Sequence, residues 1–425
     1  MKRNHQPKLD NQEVIYERCA GIDVHKKIIT VCLRNGRKTE VREFGTITRE
    51  LREMVAWLKE NDCEMAAMES TGSYWKPLYN VLELEDVPAM VVNAGHMKSV
   101  PGRKTDVKDS EWIAKLLSQG LLKASFIPDR EQRELRELTR FRKSQIEERA
   151  RNLNRLQKML EGANVKLSSW LSDISGKSAT ELLELIIGKE DFTMEDVDQR
   201  CHGNMKATTE ELYNSLNGVI THVQRELFKH VMKVIREQTA QIVETENLIS
   251  TYINEAYKAA AEAIDTIPGI GRISAQQIIA EIGHDMSRFP SAAHLCNWAG
   301  ICPGNNESAG KRKSGKMNYA NNTLKTTLTQ CAQSVKKKKN SFFRAQYQRL
   351  VVRRGSNRAT LAVAHSMLIA IYHVLRGEKF RDLGEDYYTR FNKEKKIDSY
   401  VKQLKKLGVN VPDNVIRSAV MPEVA

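Results

Sequence analysis

The chain has 425 residues, which suggests two or three domains, and 41% of them are hydrophobic, enough for real cores. Its 67 Lys and Arg against 53 Asp and Glu give a net charge of +14 and a pI of about 9.3, which favours a polyanionic partner, nucleic acid before membrane. Seven cysteines with no C-x-x-C pair argue against a disulfide framework or a zinc ribbon, the polar N-terminus carries no secretory core, and no apolar run is long enough to cross a bilayer, so a cytoplasmic protein is expected.

The first region, 17–128, alternates strand and helix signals. Strands are predicted at Ala20–Val24, Lys27–Leu33, Thr39–Phe44, Glu64–Met68 and Ala89–Asn93, with Asn35-Gly36 as a hairpin turn. Helices are predicted from Thr48, acting as cap, through Leu58, and over Ser73–Leu84 and Asp106–Gln119. Three strands, helix, strand, helix, strand, helix is the order of the ribonuclease H-like fold. Asp23 lies on the first strand, Glu69 ends the fourth, and Asp106 and Asp109 share one helix face. Acids in such places are costly unless paired or holding a metal, so a divalent-metal site at one sheet end is expected. The plainer alternative is a generic α/β domain whose acids are surface residues.

The second region, 129–262, reads as helical. Arg130 to Lys158 holds ten basic residues and five glutamates around a leucine stripe, and Met205–Ala261 repeats apolar residues at helical spacing. Two long helices around a less regular middle suggest a coiled-coil arm or an ordinary bundle. Arg140, Arg142 and Lys143 are candidate phosphate contacts. Gly176-Lys177-Ser178 is no P-loop, because position 171 is leucine rather than glycine; segment 169–203 is given no chemistry.

The third region, 263–378, opens on Ile267-Pro268-Gly269-Ile270-Gly271, a turn between helices of helix-hairpin-helix type. There Gly269 and Gly271 would bring backbone N–H groups to a phosphate. A polar segment follows, Cys302-Pro303-Gly304 to Lys316, expected as an exposed loop. Its serine is a candidate nucleophile, and Lys311, Arg312, Lys313 and Lys316 are candidate phosphate partners. Residues 379–425 read as a polar, peripheral tail.

Together, Gly21-Ile22-Asp23-Val24-His25-Lys26, Met68-Glu69-Ser70-Thr71-Gly72, Lys104-Thr105-Asp106-Val107-Lys108-Asp109, the Pro-Gly turn and Ser308-Ala309-Gly310-Lys311 resemble the DEDD transposases of the insertion-sequence-110 family. The resemblance spans about 18 to 130 and 260 to 375. It implies a RuvC-like first domain with Asp23, Glu69, Asp106 and Asp109 as Mg²⁺ (or Mn²⁺) ligands, and a conserved serine at Ser308. It also implies DNA as substrate, a non-coding RNA from the element's ends, a homo-oligomer (dimer or tetramer) and a nucleoid-associated place in a bacterial cytoplasm. Ser314 sits in a similar Ser-Gly-Lys setting, but Ser308 keeps the family's distance from Pro303-Gly304. Where family members often carry Gly-Asn and Leu-Arg after the serine, this chain has Ala320-Asn321-Asn322-Thr323-Leu324-Lys325. The competing enzymatic reading is a RuvC-like junction nuclease that activates water and needs no serine.

Overall fold

The structure, a computed structural model, describes residues 14–70, 72–93, 109–203, 205–302, 306–308, 311–314, 321–390 and 393–409. Two compact units divide the chain between Pro128 and Asp129.

In the first unit, β1 (Arg18–Val24), β2 (Ile28–Asn35), β3 (Lys38–Gly45), β4 (Met65–Glu69) and β5 (Ala89–Val92) form one mixed sheet in the order β3-β2-β1-β4-β5. The first three strands pair antiparallel as a meander; β4 and β5 run parallel to β1. Helices α1 (Thr48–Glu60) and α2 (Trp75–Leu84) cover one face. Leu51, Met54, Leu58, Leu78 and Leu82 pack there on Ala20, Ile22, Val24, Ala66 and Met68. Helix α3 (Asp109–Ser118) covers the other face, with Ile113 and Leu117 against Cys19, Ala67 and Val92. The period-2 pleat assigns alternate residues of β1 and β4 to opposite faces. Thr48 opens α1 but does not cap it; Ile47 is the N-cap residue and offers no side-chain acceptor.

The second unit is helical. Helix α4 (Arg130–Gly162) starts on Asp129, whose Oδ1 accepts the Gln132 N–H at 2.8 Å. The chain then forms α5 (Leu167–Trp170), α6 (Lys177–Gly188), α7 (Met194–Asp198) and α8 (Thr209–Leu216), and returns along α9 (His222–Tyr252). Helices α4 and α9 pack antiparallel: Tyr252 OH donates to Glu134 at 2.5 Å, Arg149 Nε to Thr239 at 2.8 Å, and Asn152 Nδ2 to Gln238 at 3.1 Å. The distal ends of both join α5–α8 in a small head around Leu156, Leu160, Leu182, Ile186, Leu212 and Phe228.

The stretch Met205–Ala261, expected as one helix, is three: α8, α9 and α10 (Glu255–Asp265). The first break lies at Gly218, where a Cβ would come within 2.4 Å of the Ala163 carbonyl. Thr221 then caps α9 in a capping box with Gln224, and Asn254 caps α10.

The remaining core joins α10, α11 (Arg272–Ile282), α12 (Ala292–Trp298), α13 (Asn322–Val335), α14 (Phe342–Arg354) and α15 (Ser356–Leu375) around Ile264, Ile279, Leu328, Val363 and Met367. Helix α15 corrects one expectation: by length and composition it is apolar enough to cross a membrane. Ala359, Val363, Ala364, Met367, Leu368 and Ile371 are nevertheless buried in the protein's own core. The tail also begins more firmly than expected. Phe380 stacks on Phe343 and Asp382 accepts the Phe342 N–H at 2.8 Å, ahead of α16 (Tyr387–Arg390) and α17 (Lys393–Lys406).

Candidate active site and nucleic-acid interface

The β1–β4 register pairs Ile22 with Met68, so Asp23 and Glu69 occupy the next matched positions on neighbouring parallel strands. Both alternate away from the face of Ile22 and Met68 and fall on the face covered by α3. Glu69 pairs in turn with Val92, which belongs to the α3-side core. Gly21 lets α3 approach: a Cβ there would lie 2.2 Å from both Ala114 N and Ser110 O. Cys19, two residues earlier, donates its thiol to the Ala114 carbonyl at 3.6 Å. The N-terminus of α3, Asp109, therefore points toward the Asp23 end of β1. Asp23 and Glu69 share one edge and one face, and Asp109 opens the helix that covers that face; Asp106 lies outside the described residues. Among the described residues no three His, Cys, Asp or Glu side chains already form a metal-sized cluster. The donor set itself, carboxylate oxygens on one edge, suits a hard divalent cation.

Sequence reasoning gave His25 no role. Its Nε2 lies 3.1 Å from Asp23 Oδ2, where it orients that carboxylate. An i, i+2 acid–histidine pair across a strand end was the available signal.

The segment expected as a loop contains a ribbon of β6 (Asn306–Ser308) and β7 (Lys311–Ser314), paired antiparallel. Ser308 is opposite Lys311, Glu307 opposite Arg312, and Asn306 opposite Ser314; a register shift makes Lys313 the extra residue. Ser308 thus sits at the turn end and Ser314 at the base. Lys316 lies outside the described residues. After the ribbon, Asn321 caps α13, its Oδ1 accepting the Leu324 N–H at 3.1 Å.

The expected basic helix divides. Arg142 is 1% exposed and donates to Gln276 Oε1 at 2.7 Å and to the Ile273 carbonyl at 3.2 Å, so it holds α4 on α11 and does not reach a phosphate. Burial lowers its pKa from the ordinary guanidinium range. Arg140 makes a bidentate pair with the fully buried Glu281 at 2.7 and 2.9 Å. Arg136 reaches the same carboxylate at 3.3 Å, and Asn321 Nδ2 donates to it as well. Arg140 is therefore committed to a buried acid, which sequence reasoning missed because the partners lie 141 residues apart. Lys143 is half-buried and keeps a solvent-facing side. The two turn glycines also differ. Gly269, at φ +89°, packs against α13, where a Cβ would meet the Cys331 carbonyl at 2.8 Å; Gly271, the N-cap of α11, faces open space.

A family model for DEDD transposases, described as "Transposase", matches residues 20–165, and one described as "Transposase IS116/IS110/IS902 family" matches residues 261–348. The chain is 23% identical over 365 residues to a "Probable family 20 transposase" of Pseudomonas aeruginosa PAO1, covering 84% of this chain and 93% of that one. It is 24% identical over 324 residues to a candidate transposase, y4qE, of Sinorhizobium fredii NGR234, covering 74% and 71%. The matched segments contain both the acidic edge and the serine ribbon.

Proposed function

Because the chain is a DNA transposase belonging to the IS116/IS110/IS902 family, we propose that it excises and reinserts its own element with two sets of side chains, the acidic edge and the Ser308 ribbon. The observation that carries this reading is the register that sets Asp23 beside Glu69 on the α3 face, with Asp109 opening α3. The strand order β3-β2-β1-β4-β5 supports a ribonuclease H-like, RuvC-like first domain.

Asp23, Glu69, Asp106 and Asp109 would hold Mg²⁺ or Mn²⁺, which when bound polarises a phosphoryl oxygen and offsets its repulsion by the carboxylates. His25 fixes the Asp23 carboxylate. Ser308 Oγ attacks phosphorus: a P–O bond to serine forms, a bond to a deoxyribose oxygen breaks, and that oxygen leaves as a hydroxyl. The serine proton passes to solvent, and solvent returns one to the leaving oxygen. The resulting diester stays available to a second strand's hydroxyl, which displaces the serine and rejoins the DNA. Lys311, paired with Ser308 in register, acts with Arg312, Lys313 and Lys316 on the phosphoryl charge. Lys143 and the α11 N-terminus at Gly271 are backbone-phosphate contacts.

The same reading includes an element-encoded non-coding RNA as guide, a nucleoid-associated place in the cytoplasm, and a dimer or tetramer joined through the α4–α9 arm. Phe141, Val243 and Leu248 of the arm are more than half exposed, which supports the last point.

The deciding experiment mixes full-length protein, Mg²⁺, element-end DNA and its transcript, and looks for a covalent protein–DNA adduct on denaturing gels. The adduct is expected for wild type and absent for Ser308→Ala and Asp23→Asn. Cleavage without adduct that persists in Ser308→Ala would establish the hydrolytic nuclease instead. A Ser314→Ala loss with Ser308→Ala active would move the nucleophile to the ribbon's base.

A further inference from the structure

Beside the acidic edge, on the α1–α2 face of the same unit, lies a cavity of about 210 Å³. Its floor is Ile29, Leu51 and Leu78, each no more than 3% exposed. Its rim carries Tyr74, 44% exposed, together with Lys26 and His25. Thr46, also on the rim, donates to the Lys26 carbonyl at 3.1 Å and steadies the β1–β2 turn. His25 is shared: one side of it lines the cavity, and its Nε2 sits 3.1 Å from Asp23. Whatever fills the cavity is one side chain away from the acidic edge.

The lining selects by chemistry. An inorganic anion would find Lys26 but gain nothing from an apolar floor and a phenol ring. A neutral apolar molecule would have no use for the cation. A nucleobase carries a flat, weakly polar face for Tyr74 and the floor, a hydrogen-bonding edge for His25 and Ser73, and a phosphate for Lys26. A paired and stacked base cannot enter a cavity of this size; an unpaired one, turned out of the helix, can.

We infer that this cavity receives an unpaired nucleobase of the cut strand, adjacent to the scissile phosphate, with Tyr74 as the stacking platform and Lys26 on the neighbouring phosphate. This rests on the acidic edge being the place of cutting. Stacking tolerates any base, so the cavity would fix the strand's position rather than read its sequence. Tyr74 is a positioning residue: it holds the strand so that the phosphate meets Asp23 and Glu69.

The test uses the full-length protein and an element-end duplex opened as a mismatched bubble across the cleavage point, with an abasic site at one position at a time. Binding is measured by fluorescence anisotropy in the Asp23→Asn background, where no cutting is expected, and cutting is measured in the wild-type background. One abasic position flanking the scissile bond should weaken binding by about tenfold. Tyr74→Ala should weaken binding of intact DNA by a similar factor and be indifferent to that abasic site, while Tyr74→Phe should bind like wild type. If abasic and Tyr74→Ala effects multiply independently at every position, or if Tyr74→Ala binds like wild type, the base site is wrong. Cutting that survives in Asp23→Asn would instead overturn the acidic-edge reading, and the binding coupling reports on the cavity separately.

Discussion

Asn321 joins two structures with one amide. Its Oδ1 caps α13 through the Leu324 N–H at 3.1 Å, and its Nδ2 donates to the buried carboxylate of Glu281. That carboxylate also takes Arg140 and Arg136 from α4. The chain leaving the serine ribbon is thereby tied to α11 and α4. Asn321→Ser should keep the cap and lose the link, costing about 1 kcal/mol of stability while slowing adduct formation by tenfold or more. Glu281→Ala leaves two guanidiniums without their acid and should cost about 3–5 kcal/mol. Urea unfolding and adduct kinetics measure the two. An Asn321→Ser protein that formed adduct at the wild-type rate would remove the link from the mechanism.

Arg142 and Lys143 are neighbours with opposite fates. Arg142→Met removes a buried charge with similar volume; nucleic-acid affinity should stay unchanged and stability should change by no more than about 2 kcal/mol in either direction. Lys143→Ala should leave stability within about 0.5 kcal/mol and lower the slope of log K against log salt by about 1. Salt titrations of binding by the two single variants separate the roles.

Gly21→Ala should destabilise the first unit by about 1–3 kcal/mol or more, because the added methyl meets the α3 backbone rather than a movable side chain. Displacing α3 moves Asp109 with it, so DNA cutting should fall further than the stability loss explains. Thermal unfolding beside cleavage rate checks this; a stable, fully active Gly21→Ala would contradict the close helix–sheet contact.

Burial raises the thiol pKa of Cys19 to about 12 and those of Cys32 and Cys63 to about 11. The neutral thiols are favoured by the fold, so their stabilisation is complete below the ordinary thiol range near 8.5. It is lost as pH rises from there through the folded values. Stability measured at rising pH should fall less steeply in a Cys19→Ala, Cys32→Ala, Cys63→Ala protein than in wild type. Equal slopes would mean that the thiols do not contribute.

The first unit was legible because its strands alternate. Ala20, Ile22 and Val24 announce one face, and an aspartate at 23 falls on the other whatever the rest of the chain does. The same logic failed for Arg142. A guanidinium on a charged helix looks solvated, and the groups that satisfy it when buried, Gln276 Oε1 and the Ile273 carbonyl, lie 134 and 131 positions away. The ribbon of Ser308 has the sequence character of a loop, because Asn306-Glu307-Ser308 and Lys311-Arg312-Lys313-Ser314 carry no apolar residue to mark a strand. The head around Leu182 and Leu212 escaped because its helices are short and its core is shared with two helices distant in sequence.

Helix α4 has 33 residues and runs unbroken from its contacts with Glu281 to the head core. At 1.5 Å per residue it is a ruler of about 50 Å. Its length also sets a phase: one inserted residue in mid-helix would turn the head by about 100° around the axis and slide it by about 1.5 Å. The antiparallel α9 has 31 residues and could follow such a turn only by breaking its pairing with α4. The direction in which the head faces is therefore encoded in a residue count, and chain length between Arg130 and Leu156 should tolerate substitution far better than insertion.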